Sequence, residues 1–220
     1  MPLQNRVDPF GKIFRSPARG TFMGNRGGAL HNEDREIVRS YKSKRWIACL
    51  LEFKGRYRRV MSPGRYTELF FLDEAVAFAA GHRPCAECRR ERFNAFKSAW
   101  QRRRDTAEGV AQPSEPARAG PIDAELHRSR LDGRRNKLTY DAPLHSLPNG
   151  CFIQIKRQDW LAQPSWLVLD DALLLWTAEG YARRIARPKD MTVTVLTPRP
   201  VVECFRQGYQ PELHCSSRAL

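Results

Sequence analysis

Residues 105–123 (DTAEGVAQPSEPARAGPID) place the strongest constraint on how this chain can fold. They are rich in Ala, Gly, Pro and Glu and contain no aromatic residue. A stretch of that composition cannot bury enough apolar surface to offset its ordering entropy, so it reads as a linker or long exposed loop. The 220-residue chain then divides into residues 1–104 and 124–220, each long enough for a small domain.

In the first half, period-two alternation puts Ile47, Cys49, Leu51 and Phe53 on one face of a strand over residues 46–53. Lys54-Gly55 and Ser62-Pro63-Gly64 can turn the chain, so strands over 56–61 and 66–72 complete a three-stranded meander. Asp73 is the N-cap of a short helix over 74–80, and Gly81 suits its C-terminus. A second helix over 90–103 carries Phe93, Phe96 and Trp100 on one face. Residues 1–41 hold no sustained period and read as an arm, with one helical turn at 33–39. In the second half, short strands over 151–156, 166–169, 173–176 and 192–196, with a helix over 201–207 stopped by Gly208, make a small β-rich domain. The fold class is α+β. No internal repeat is visible.

Charge narrows the partner. The net charge is +14, and 30 of the 38 basic residues are Arg. Residues 1–110 hold 23 basic and 12 acidic groups, whereas 111–220 hold 15 and 12. Such a balance favours a polyanion, and nucleic acid is the expected partner, DNA ahead of RNA. Arg56, Arg58, Arg83, Arg89, Arg90 and Arg92 are the candidate phosphate grips, with Tyr57 and Tyr66 as stacking surfaces. No apolar run approaches the ~20 residues of a membrane-spanning helix, and the N-terminus has no apolar h-region; the expectation is a cytoplasmic protein with no membrane partner.

The sharpest chemical signal is Cys85-x-x-Cys88 on a tight loop stiffened by Pro84. Two thiols at that spacing can share one Zn²⁺, because loop N–H groups stabilise thiolate charge. A redox dithiol would call for a βαβ setting, which is missing here. Structural zinc wants four ligands. Cys49 is a candidate third ligand or a small buried apolar residue; His82, three residues before Cys85, is a ligand or a loop residue; His31 could fold back. Three cysteines with one His would make a Cys₃His site.

Phe70-Phe71, Ala75 and the run Ala80-Gly81-His82-Arg83-Pro84-Cys85-Ala86-Glu87-Cys88-Arg89 resemble the metal-binding module of the Ada DNA-repair protein family. The resemblance covers about twenty residues and implies a four-thiolate zinc site in a small α/β module that contacts DNA phosphates. The family's two further thiolates lie upstream, but residues 56–65 here contain neither Cys nor His. The site is therefore lost or recruits other ligands. No methyl-acceptor or methyltransferase signature accompanies it, so no repair activity is carried over.

Two other runs gather polar groups. His31-Asn32-Glu33-Asp34-x-Glu36 holds a His and three carboxylates at no spacing that defines a site, and His127-x-x-Arg130 leads into Asp132-Gly133-Arg134-Arg135, a basic loop first and a site second. No catalytic signature emerges. The expectation is a zinc-organised nucleic-acid-binding protein, linked to DNA repair or modification. The alternatives are a metal-dependent nuclease using His31, Glu33, Asp34 and His127, and a protein-interaction module.

Overall fold

A computed structural model describes residues 1–56, 59–108, 117–155 and 164–219. Two six-stranded sheets carry the fold. The first is mixed and is built from β1 (Gln4–Val7), β2 (Ile13–Arg15), β3 (Phe22–Asn25), β4 (Ile47–Cys49), β5 (Leu69–Phe71) and β6 (Arg83–Pro84), in the order β2-β1-β5-β3-β4-β6. The pairs β1–β5 and β4–β6 are parallel and the rest antiparallel. The second sheet is wholly antiparallel. Its strands are β7 (Tyr140–Pro143), β8 (Phe152–Gln154), β9 (Ser165–Leu169), β10 (Ala172–Trp176), β11 (Tyr181–Ala186) and β12 (Thr192–Val195), in the order β11-β10-β9-β8-β12-β7. The described residues also hold four α-helices: α1 (Glu74–Ala79), α2 (Arg90–Glu108), α3 (Ala119–Arg130) and α4 (Arg199–Arg206). None of the described helices is long and apolar enough to cross a membrane.

The α+β class holds, but the meander does not. β3 lies between β4 and β5, and the described residues of 56–61 form no strand. The segment read as an arm supplies three of the six strands. Its alternation is masked by polar residues: in β1 Asn5 and Val7 point inward and are buried, while Gln4 and Arg6 face out. Gly24 permits this order, because a Cβ there would lie 2.2 Å from the Ile47 carbonyl oxygen. The strand predicted over 46–53 stops at Cys49, and Leu51 is 49% exposed. Instead of a helical turn at 33–39, an isolated bridge joins His31 to Ile37 across a turn.

The second sheet explains its own sequence. Trp166, Val168 and Leu173 pack in one cluster with Phe96 and Trp100 of α2, Ile122 and Leu126 of α3, and Val201 and Phe205 of α4. Their neighbours Leu167, Ala172 and Leu174 pack in the other, with Phe71 of β5, Ala75 and Val76 of α1, and Val7. Both faces of this sheet are buried, so β9 and β10 read as continuous apolar runs rather than as alternation. Both clusters draw on residues from either side of 105–123. That segment is helical at each end, through Glu108 and from Ala119, with Ile122 fully buried; residues 109–116 lie outside the described residues.

One pair of side chains locks the layers. Asp73 caps α1 by accepting from the Val76 N–H at 2.9 Å, and it also takes the Tyr181 hydroxyl at 2.7 Å and the His214 N–H at 3.1 Å. Glu74, 1% exposed, is ion-paired with Arg89 at 2.8 Å and accepts from Arg92, the Tyr209 hydroxyl and the Glu212 N–H, each at 2.8 Å. Breaking a buried ion pair leaves a charge without compensation. Glu74→Ala is therefore expected to cost about 3–5 kcal/mol of unfolding free energy. Urea unfolding of wild type and variant measures this, and a loss below about 1 kcal/mol would show that the pair does not hold the layers.

Candidate metal centre

The site is assembled from two short parallel strands and one turn. β4 and β6 pair with Ile47 opposite Arg83 and Ala48 opposite Pro84. The ladder continues when the Cys85 N–H donates to the Ala48 carbonyl at 2.9 Å. That bond sets Cys85 beside Cys49, the last residue of β4. The chain then turns through Ala86–Arg89, and the Arg89 N–H donates to the Cys85 carbonyl at 3.2 Å as α2 begins. The turn returns Cys88 to the same place.

The sulfurs of Cys49, Cys85 and Cys88 all lie within 4.8 Å of one another. Cys49 and Cys85 are buried and Cys88 is half-buried. The Glu87 N–H donates to the Cys85 sulfur at 3.4 Å. The Cys49 and Cys88 thiols and the Cys88 and Glu87 N–H groups hold the Cys85 thiol below its usual range. The Cys49 thiol is pushed up, first by its hydrogen bonds to Cys85 and Cys88 and then by burial. The three groups share protons around one favoured thiolate. Sulfurs this close, with N–H groups aimed at the charge, fit the roughly 2.3 Å bonds of a tetrahedral thiolate site, and they can hold a metal ion such as zinc.

His82 is not part of this group. It is fully buried, its ring packed at 4.6 Å from Phe71 and 5.2 Å from Trp46, with Nε2 accepting from Arg26 Nε at 3.3 Å. Burial first, then Arg26 and Arg130, hold its pKa well below the ordinary imidazole value, so the ring is neutral. His31 is likewise engaged, with Nδ1 2.6 Å from the Thr67 hydroxyl and Nε2 3.2 Å from the Ser62 carbonyl. Among the described residues the thiolate group stops at three members.

The candidate phosphate grips divide. Arg83 is buried and paired through two donors with Asp123, each at 2.9 Å. Arg89, also buried, is held by Glu74 and Glu212. Arg92 bonds Glu74 and Glu212. These three are therefore occupied within the fold. Arg56 is exposed and paired with Glu87 at 3.0 Å, Arg90 is exposed at the start of α2, and Arg58 lies outside the described residues, as does Tyr57. Sequence reasoning missed the partners Asp123, Glu74 and Glu212, since none lies in a motif.

No protein family, no curated protein and no solved structure matches the chain.

Metal-free protein titrated with Co²⁺ is expected to develop a thiolate-to-metal charge-transfer absorption. Cys49→Ala should retain only part of it and bind more weakly, while Cys85→Ser/Cys88→Ser should abolish it. An unchanged spectrum in Cys49→Ala would remove that residue from the ligand set.

Proposed function

We propose that the protein is a zinc-organised nucleic-acid-binding protein, with DNA the expected partner. The convergence of Cys49, Cys85 and Cys88 carries the reading. Zinc is the metal that matches three thiolates gathered from a tight loop and the end of β4, with a fourth position left to another donor or to water. Its role here is structural: it ties the end of β4 to the start of α2, and binding energy at such a site is folding energy. The local resemblance to the Ada module agrees with this assignment.

The nucleic-acid half of the proposal rests on charge. With Arg83, Arg89 and Arg92 engaged internally, the exposed cations at the Cys85–Cys88 loop are Arg56, which pairs with Glu87, and Arg90 at the start of α2. Cations so placed neutralise phosphates and release counterions, giving salt-dependent and sequence-independent affinity. The nuclease alternative gains nothing from His31, whose two nitrogens are both engaged.

Purified protein is expected to hold near one zinc per chain by native mass spectrometry, and chelation should lower its thermal midpoint. Arg56→Glu/Arg90→Glu should weaken a mobility-shift complex with duplex DNA, whereas Arg183→Glu/Arg184→Glu on β11 should not. Equal loss from both pairs would reduce the interaction to bulk charge. Absence of any complex at low salt would end the nucleic-acid reading while leaving the metal centre intact.

A further inference from the structure

Away from the thiolates, a cavity of about 710 Å³ opens between two loops of the same build. One spans residues 30–38 and the other 130–138. In the first, Val38 N–H donates to the Leu30 carbonyl, Asn32 N–H to Glu36, Arg35 N–H to Asn32, and Glu36 N–H to the Asn32 side chain. In the second, Leu138 donates to Arg130, Asp132 to Asn136, Arg135 to Asp132, and Asn136 N–H to the Asp132 side chain. Arg35 and Arg135 both take a left-handed backbone, at φ 61° and 65°. These are the two polar runs that stand out in the sequence, and their chain reversals frame one mouth.

The lining is unbalanced. Lys12, Arg26, Arg39, Arg130, Arg135 and Lys137 contribute to it, and no carboxylate does. Arg26 and Arg130 are 2% and 1% exposed. Their guanidiniums lie 4.1 and 3.9 Å from the Trp46 ring centroid, and they bond backbone carbonyls rather than acids: Arg26 to Gly11 and Ser40, Arg130 to Gly81 and Lys44. Arg130 Nε is buried without a partner. The Lys137 ammonium donates to the Ala79 carbonyl at 2.6 Å. Buried cations are costly unless an anion compensates them, and here their hydrogen bonds go to backbone carbonyls and imidazole nitrogens, none to a carboxylate. Phe10, Ile37 and Leu131 give the same cavity apolar wall.

The geometry points to a binding site for a phosphate monoester, its phosphate taken by the lining cations, Arg26, Arg130 and Lys137 within the cavity and Arg39 and Arg135 at its exposed edge, and its organic part laid against the apolar wall. A phosphate monoester brings close to two negative charges to a cluster of cations, and Arg forks match its oxygens. The source is either a free nucleotide or the phosphorylated end of a strand. The inference is independent of the nucleic-acid proposal, since the cavity lining and the thiolate cluster share no residue.

Burial pulls Lys137 down to about 7 and Arg26 and Arg130 to about 9. Asp8 favours the charged forms of Lys137 and Arg26, and Asp123 that of Arg130, but Asp8 is itself pushed toward protonation by burial and Asp123 is held by Arg83. His127 and Tyr41 also face Arg130. Since an anion binds the protonated cations, affinity falls as pH rises above about 7, where Lys137 loses its proton.

Calorimetric titration of the metal-loaded full chain tests this with AMP, adenosine, inorganic pyrophosphate, and one oligonucleotide bearing either a 5′-phosphate or a 5′-hydroxyl. AMP and pyrophosphate should bind and adenosine should not. Arg39→Ala/Arg135→Ala, at two exposed lining positions, should weaken AMP at least tenfold with an unchanged thermal midpoint. From pH 7 to 9 the wild-type affinity should fall, and Lys137→Arg should flatten that fall. Binding only to the 5′-phosphorylated strand, lost in the same double variant, assigns the site to strand ends. AMP binding that survives the double variant, or failure of AMP and pyrophosphate with equal binding of the two oligonucleotides, overturns the proposal without touching the salt-dependent surface proposed at the Cys85–Cys88 loop.

Discussion

Asp73 and Glu74 are adjacent, buried and acidic, and the rest of the molecule is arranged around them. A carboxylate at 0% or 1% exposure is tolerable only when every oxygen finds donors. Asp73 finds them in its own helix, in Tyr181 of the second sheet and in the His214 backbone; Glu74 finds them in α2 and in the C-terminal segment. The donors come from segments more than a hundred residues apart. Two consecutive residues thus tie α1 to β11, to α2 and to the chain after α4. Burial pushes the Asp73 carboxyl up, and the bonds from Tyr181, Val76 and His214 oppose that push. Arg89 supplies the countercharge Asp73 lacks, but to its neighbour.

The other end of α1 sets both candidate sites. Gly81 takes φ +85°, and its N–H returns to Phe78 while the His82 N–H returns to Ala77. This is the Schellman arrangement, which needs a left-handed residue at that point. Turning there sends the chain directly into β6, which lies along β4 and carries Cys85 to Cys49. A Cβ on Gly81 would also come 2.6 Å from Cδ of Arg130. The missing side chain is therefore the space through which Arg130 passes to reach the Gly81 carbonyl and Trp46. One glycine ends a helix, aims the metal loop and admits a cation to the cavity.

What could be read in advance followed local rules. The Asp73 cap, the Gly81 stop, the strands over 166–169 and 173–176 and the helix before Gly208 each depend on a few neighbouring residues, and each is present. The first sheet was hidden because its order is non-local. β1 pairs in parallel with β5, more than sixty residues later, and β3 inserts between strands that look consecutive. α3 was hidden for another reason: its N-terminal residues belong to a composition that reads as linker, yet Ile122, Asp123 and Leu126 anchor it from within. Cys49 was visible as a candidate through its chemistry, although its alternation with Ile47 and Leu51 suited a buried apolar residue equally well. His82 had equally good spacing to Cys85, but its ring is drawn into the aromatic and arginine cluster under Trp46.

The arginines show why net charge and surface charge are different quantities. Arg26, Arg83, Arg89 and Arg130 all count toward +14, yet each is at most 4% exposed. Arg83 and Arg89 are matched by carboxylates and act as cross-links between elements. Arg26 and Arg130 are hydrogen-bonded to none; they donate to backbone carbonyls and imidazole nitrogens and lie over one indole ring. The first kind contributes little field beyond its partner. The second leaves positive potential inside a concave wall, where low-dielectric surroundings keep it from being screened. An arginine-rich sequence therefore divides its cations by their surroundings: some are consumed as cross-links, some stay exposed like Arg56 and Arg90, and two are enclosed between the paired loops with no carboxylate bonded to them.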